Sequence, residues 1–195
     1  MSCSHEVVAV AFDLGERAGM RELYDQAIAA GAVRCHVLDV RDEYIRSCML
    51  PAVDDGVVSD RARVFIARKL ADVAALEGKC RVIEPAAPAA RSGRLRHGAV
   101  DCSAVVSIAF EDGVPVAIND IPMTLSEIVD CLTTLGAVHG LSAETFAEAG
   151  IAQTEPAMGI LQAANRQLED RASGIARLEI RAGNIRTRTA TFATT

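Results

Sequence analysis

The chain has 195 residues, half of them hydrophobic, with no Trp and a formal net charge of −6. That length suits one domain or two small lobes with a real core, and the acidic balance argues against nucleic acid or an acidic membrane surface as a partner. No apolar run approaches the roughly 18 residues that span a bilayer, and residues 1–5 do not read as a signal peptide.

The stretch "HEVVAVAFDLGE" (5–16) runs apolar from Val7 to Phe12 and breaks at Asp13-Leu14-Gly15. It predicts a buried strand that delivers a carboxylate to a turn. In nucleotide-binding α/β proteins such a strand follows a glycine-rich phosphate loop. Only four residues precede it here, so that loop is expected to be missing. Met20, Leu23, Tyr24, Ala27 and Ile28 keep the spacing of an amphipathic helix, which Gly31 closes. "AVRCHVLDV" (32–40) is a second strand, ending near Asp39. A short helix is predicted over 42–50, stopped by Pro51. "SDRARVFIARKLADVAALEG" (59–78) is a longer helix with Ile66, Leu70, Val73 and Ala74 facing inward, and "KCRVIEP" (79–85) is a third strand. Strands alternating with helices of this length require crossovers and a mainly parallel sheet.

"PAAPAARSGRLRHG" (85–98) is rich in Pro, Ala and Gly and has no periodicity, so 86–102 reads as a linker. Beyond it, "SAVVSIAFEDGVPVAIND" (103–120) is a hairpin around Asp112-Gly113. "TLSE" (124–127) is a capping box that opens a helix with Leu125, Ile128, Val129, Leu132 and Leu135 on one face. A helix over about 156–171 carries Ile160, Leu161, Ala164 and Leu168, and 176–194 closes as a hairpin around Gly183-Asn184. The expected architecture is an α/β lobe over 1–85 with a partial doubly wound, nucleotide-hydrolase-like parallel sheet, then an α+β hairpin-and-helix lobe over 103–195.

The side chains that carry chemistry are dispersed. His5, His36, His97 and His139 fall in four different elements, and the six cysteines include no C-x-x-C pair. No metal site follows from that spacing, and reduced thiols in a cytoplasmic protein are the plain reading. Cys48 and Cys131 have no base nearby in sequence. Arg91, Arg94, Arg96 and His97 read as a solvated basic linker that could also meet a phosphate or carboxylate.

Five of these segments resemble pieces of argininosuccinate synthase, in the same order. "FDLGE" with "GAVRCHVLDVRDEYIRSCMLPA" resembles the family's second strand through the helix ending in "LPA". "VFIARKLADVAALEG" resembles its "PLIARKLVEIAREEG" helix, and "VSIAFEDGVPVAIND" with "LSEIVDCLTTLGAVHGL" resembles the hairpin and helix of its synthetase lobe. "TEPAMGILQAANRQLED" resembles "YETPGATILHAAHRALE", and "ARLEIRAGN" resembles a late strand. The resemblance implies a protein related to enzymes that bind ATP, citrulline and aspartate, adenylate the ureido oxygen and form tetramers through the second lobe.

The departures narrow that implication. The family's "SGGLDTS" loop has no counterpart, and "AAPAARSGRLRHG" stands where "HGCTGKGNDQVRFE" would follow the third strand. The long family segment between the lobes is missing, and the Tyr of "YETP" falls on Gln153. Two positions of the family's substrate-contacting "GTSLARP" turn fall on Ser59 and Arg63; Phe12 falls where the backbone borders adenine, and Asp13 continues that turn. Each also has an ordinary reading: Ser59 as a helix N-cap, Arg63 as a solvated arginine, Asp13 as a turn former.

The expectation is therefore an argininosuccinate-synthase-like protein without ligase activity, with no cofactor and no assigned catalytic residue, acting as a binding, regulatory or assembly module. The alternative is an enzyme of a different reaction in a specialised pathway, with the lobe interface as a pocket for an amino-acid-derived substrate. Any small ligand would be an amino acid or another carboxylate held near Ser59 and Arg63. A homo-oligomer, dimer or tetramer, is expected through 103–194, with no nucleic-acid or membrane partner. Without the family's central strand, 6–13 must pair with 80–84 or with a strand from elsewhere.

Overall fold

The computed structural model describes residues 6–14, 19–55, 58–78, 81–83, 102–141, 156–168 and 172–188. β1 (Val8–Asp13) and β2 (Arg34–Asp39) run parallel, in register from Val8 against Arg34 to Asp13 against Asp39. Between them α1 (Met20–Ala29) makes the crossover, and Gly31 at φ 99 ends it. The predicted stripe on α1 is present, yet no residue of the helix is buried, and Tyr24 stays 44% exposed.

The third strand expected over 79–85 is corrected by the structure. Arg81, Val82 and Ile83 carry no regular structure and are exposed, so β1 does not pair with these three residues, while Lys79 and Cys80 lie outside the described residues. β1 pairs instead with β2 alone among the described residues, and a single crossover helix brings β2 alongside at small loop-closure cost. Glu84, Pro85 and the linker beyond them to residue 101 lie outside the described residues.

Pro51 does not stop its helix. The chain stays helical from Arg41 to Asp55 as α2 (Arg41–Tyr44), a π-helical turn (Ile45–Met49) and α3 (Leu50–Asp55). In an α turn the proline ring would press on the carbonyl four residues back, and its missing N–H would leave that carbonyl unpaired. Here Leu50 N–H reaches the Ile45 carbonyl, five residues back, and the widened turn makes room. The extra residue also rotates the apolar face. Ile45, Met49, Ala52 and Val53 enter one core, while Cys48 packs with Val40 and Phe65 in a second, smaller one. α4 (Val58–Glu77) buries Phe65 and Val73, with Ile66, Leu70 and Ala74 half-buried, as its spacing predicts.

The larger sheet is antiparallel, in the order β5-β4-β3-β6-β7. Its strands are β3 (Ala104–Glu111), β4 (Val114–Ile118), β5 (Ile121–Pro122), β6 (Gly174–Arg181) and β7 (Asn184–Thr187). Asp112 and Gly113, at φ 49 and 77, form the left-handed pair that a two-residue hairpin turn needs. Pro115 has no N–H for the ladder, and the register slips between Ala109 and Phe110, which faces Pro115. The last hairpin turns one residue earlier than expected, at Ala182-Gly183 rather than Gly183-Asn184. Asn184 pairs with Arg181 in the ladder, and its Nδ2 donates back to the Ala182 carbonyl at 3.2 Å.

Strict alternation sends Val106, Ile108, Phe110, Ala176, Leu178 and Ile180 to one face of this sheet. Two helices cover that face, α5 (Leu125–Val138) and α6 (Pro156–Gln167). The capping box forms as predicted: Thr124 Oγ1 accepts from Glu127 N–H, and Glu127 Oε2 accepts from Thr124 N–H at 2.8 Å. The helices cross closely at Gly136, where a Cβ would stand 2.5 Å from Pro156 Cβ. Every residue of α6 from Ala157 to Ala164 is buried, so the helix is enclosed on all sides. Part of that enclosure comes from the first half of the chain. Ile45, Met49, Ala52 and Val53 share one core with the large sheet, α5 and α6.

Candidate functional site

In a parallel sheet, ligands lie beyond the carboxyl ends of the strands. β1 and β2 end side by side at Asp13 and Asp39, which face each other in the register. Arg41 opens the next helix and reaches back across both. Its Nε and Nη2 donate to Asp39 at 3.0 and 2.8 Å, and its Nε lies 3.7 Å from Asp13 Oδ2. Asp39 also accepts the Arg41 backbone N–H at 3.2 Å. The forked hydrogen bond from Arg41 holds the Asp39 carboxyl below the usual carboxylate range, and Asp39 in turn raises the guanidinium. One turn of helix thus joins the two strand ends by charge.

The neighbouring residue faces the other way. Asp42 Oδ1 accepts the Ser126 N–H at 3.0 Å, in the first turn of α5. The strand ends and the start of α5 therefore meet at α2, one place where the two halves of the chain come together.

α4 runs antiparallel to β2 along its flank. At its end Glu77 lies 2.5 Å from Arg34 Nη2 and 2.6 Å from His36 Nε2, both near the start of β2. Near its start Phe65 packs edge-on against Tyr44, with ring centroids 5.8 Å apart. Between them Lys69 pairs with Glu43 at 2.6 Å. The first turns of α4 consequently lie on the carboxyl-end side of the strands.

Of the residues singled out by sequence, Phe12 and Asp13 sit at this end. Phe12 packs on the small core of Val40, Cys48 and Phe65, and Asp13 meets Arg41. Ser59 is in the first turn of α4, and its side chain lies outside the described residues. Arg63 is exposed, and at 100° per residue it points about 160° away from Phe65. Arg61 instead shares the face of Phe65, is half-buried and acts electrostatically on Cys48. Sequence reasoning passed over Arg41 and Arg61. The signal for Arg41 was available in "LDVRD": an acid closing a strand, with an arginine two residues on at a helix start.

Cys48 is buried, and burial raises its thiol, which disfavours the thiolate a nucleophile needs. Among the described residues no three His, Cys, Asp or Glu side chains stand together as a metal ion would require. No described helix is long and apolar enough to cross a membrane.

Comparison with known proteins places the chain beside argininosuccinate synthases. It is 24% identical to the argininosuccinate synthase of Streptococcus agalactiae serotype Ia, over 85% of this chain and 66% of that relative. Shorter stretches are closer. Identity is 32% with the enzyme of Caldanaerobacter subterraneus over 37% of this chain and 20% of that relative, and 36% with that of Streptococcus thermophilus over 36% and 20%. No family model matches the chain. The alignment with the Streptococcus agalactiae protein runs over 261 positions, more than this 195-residue chain contains. It therefore opens internal gaps opposite segments that the relative has and this chain does not.

Proposed function

We propose that this chain is an argininosuccinate-synthase-like protein that does not perform the ATP-dependent ligase reaction and serves as a non-catalytic binding or assembly module. The observation that carries this reading is the set of internal gaps against the Streptococcus agalactiae relative. Supporting it, Pro, Ala and Arg occupy the place where the family's glycine-rich "HGCTGKGNDQVRFE" would follow the α4 region. At the carboxyl ends of β1 and β2, Arg41 already occupies Asp39, whose carboxyl is held far from the neutral range in which a general acid or base works best. The module would have two lobes, 1–85 and 103–195 about a linker at 86–102, and would associate through 103–194. Any small ligand would be an amino acid or another carboxylate taken beside Ser59 and Arg63, where an arginine fork suits it.

The test is pyrophosphate release by purified protein supplied with ATP, citrulline and aspartate. No release above the protein-free rate is expected, and citrulline-dependent release overturns the reading.

One observation favours an enzyme of another reaction. Gln162 Oε1 and His139 Nδ1 are buried without a hydrogen-bond partner among the described residues, a condition that costs about 1–3 kcal/mol per group and is relieved by a polar ligand or water. A thermal-shift screen of amino acids and ureido compounds separates the readings. A hit that disappears in Gln162→Leu and is converted to product on incubation supports the enzyme, and a hit without conversion supports the binding module.

A further inference from the structure

The outer face of β6–β7 carries an excess of positive charge. Alternation buries Ala176, Leu178 and Ile180 and turns Arg177, Glu179 and Arg181 outward. The ladder sets Glu179 opposite Arg186, and Arg188 N–H donates to the Arg177 carbonyl, so Arg186 and Arg188 join the same face. Residues 172–188 contain four arginines and one acid, in a chain whose net charge is −6. That acid, Glu179, is engaged by Arg188 at 2.9 and 3.2 Å, so the strip stays net positive. β7 is also the last strand on its side of the sheet among the described residues.

We infer that this strip is a docking surface for an extended acidic segment of a protein partner, which adds beside β7 and sets its carboxylates against Arg186 and Arg188. Strand addition supplies main-chain hydrogen bonds, and alternate side chains of the incoming strand then fall on one face, at the 6–7 Å repeat of the arginines. Arginine rather than lysine at all four positions fits carboxylates through the planar fork. A long polyanion such as nucleic acid would meet the acidic remainder of the molecule, whereas a short acidic strand meets only the strip. An edge strand that needed charge merely to avoid aggregation would be served by lysine equally well.

Fluorescence polarisation with a labelled ten-residue peptide of alternating Glu and Val tests this on the full chain. Binding that weakens with salt, falls at least tenfold in Arg186→Glu/Arg188→Glu and falls several-fold in Arg186→Lys/Arg188→Lys is the expected result, with both variants still unfolding cooperatively. No binding, or full binding by the lysine variant, overturns the inference. Equal competition by a single-stranded oligonucleotide overturns it too, as does loss of self-association in the glutamate variant, which assigns the strip to a second copy.

Discussion

Asp42 Oδ1 caps the Ser126 N–H at 3.0 Å, across 84 residues of chain. α5 thus receives two of its first-turn caps from different places. Thr124 next to it serves Glu127 N–H, and Asp42 in the other half of the chain serves Ser126 N–H. Helix 41–55 is tied to the large sheet at both levels, by this bond at its start and by Ile45, Met49, Ala52 and Val53 in the shared core.

Removing the acceptor exposes that tie. Asp42→Ala should lower the unfolding free energy by about 1 kcal/mol, the usual worth of an N-terminal cap. Asp42→Asn, which keeps an acceptor oxygen, should lose less than half as much. Denaturant unfolding of both variants checks the ordering, and equal losses would mean that the bond contributes nothing.

Gly136→Ala should destabilise although alanine favours helix by close to 1 kcal/mol. The added Cβ would lie 2.5 Å from the Cβ of Pro156, a ring that cannot rotate away, and 3.3 Å from Leu141 Cδ1. Overpacking of that kind costs about 1–3 kcal/mol, so the net change should be a loss. A raised thermal midpoint would show that the helices can move apart at no cost.

Ala182→Gly should stabilise the last hairpin. Ala182 sits at φ 45, a left-handed conformation that costs a residue with a Cβ about 1–2 kcal/mol. The greater freedom of glycine in the unfolded chain returns about 0.4–1 kcal/mol of that. A gain of a few tenths of a kcal/mol or more is expected, measured as the denaturant midpoint.

Glu77 links stability to acid. Its carboxyl is held below the usual glutamate value, first by the hydrogen bond with His36 and then by Arg34. A depressed folded value means that the contribution is complete above the unfolded value, about 4.3, and is lost as pH falls through the folded one. Glu77→Gln should therefore lower the melting temperature at pH 7 and make little difference near pH 3. A difference that grows toward acid would reverse the sign and refute the assignment.

Much of the secondary structure was legible in the residues. The capping box of "TLSE", the Asp112-Gly113 turn and the spacing of α4 each depend on a few neighbours, and each formed where it was predicted. Two local signals failed because a competing local term was stronger. Pro51 met a π turn that removed its clash, and Asn184 preferred the ladder to the turn. At the candidate site, Phe12 and Asp13 could be read as a strand end. The inward side of α4 at its start could not, because a small change in helix phase separates exposed Arg63 from half-buried Arg61.

The sequence by itself determined most of the helices, strands and turns, and carried the likeness to argininosuccinate synthases, since these reside in spacing and order along the chain. Partnership was decided only by the tertiary structure. "KCRVIEP" has the composition of a strand, yet a strand exists only where a neighbouring edge accepts its hydrogen bonds, and Arg81, Val82 and Ile83 at its centre join no sheet among the described residues. Likewise nothing in "YIRSCMLPAV" states that Ile45, Met49, Ala52 and Val53 pack into a core built from residues sixty and more positions later for some of its members. Burial against distant residues follows from how the apolar faces fit together, and local sequence does not encode that fit.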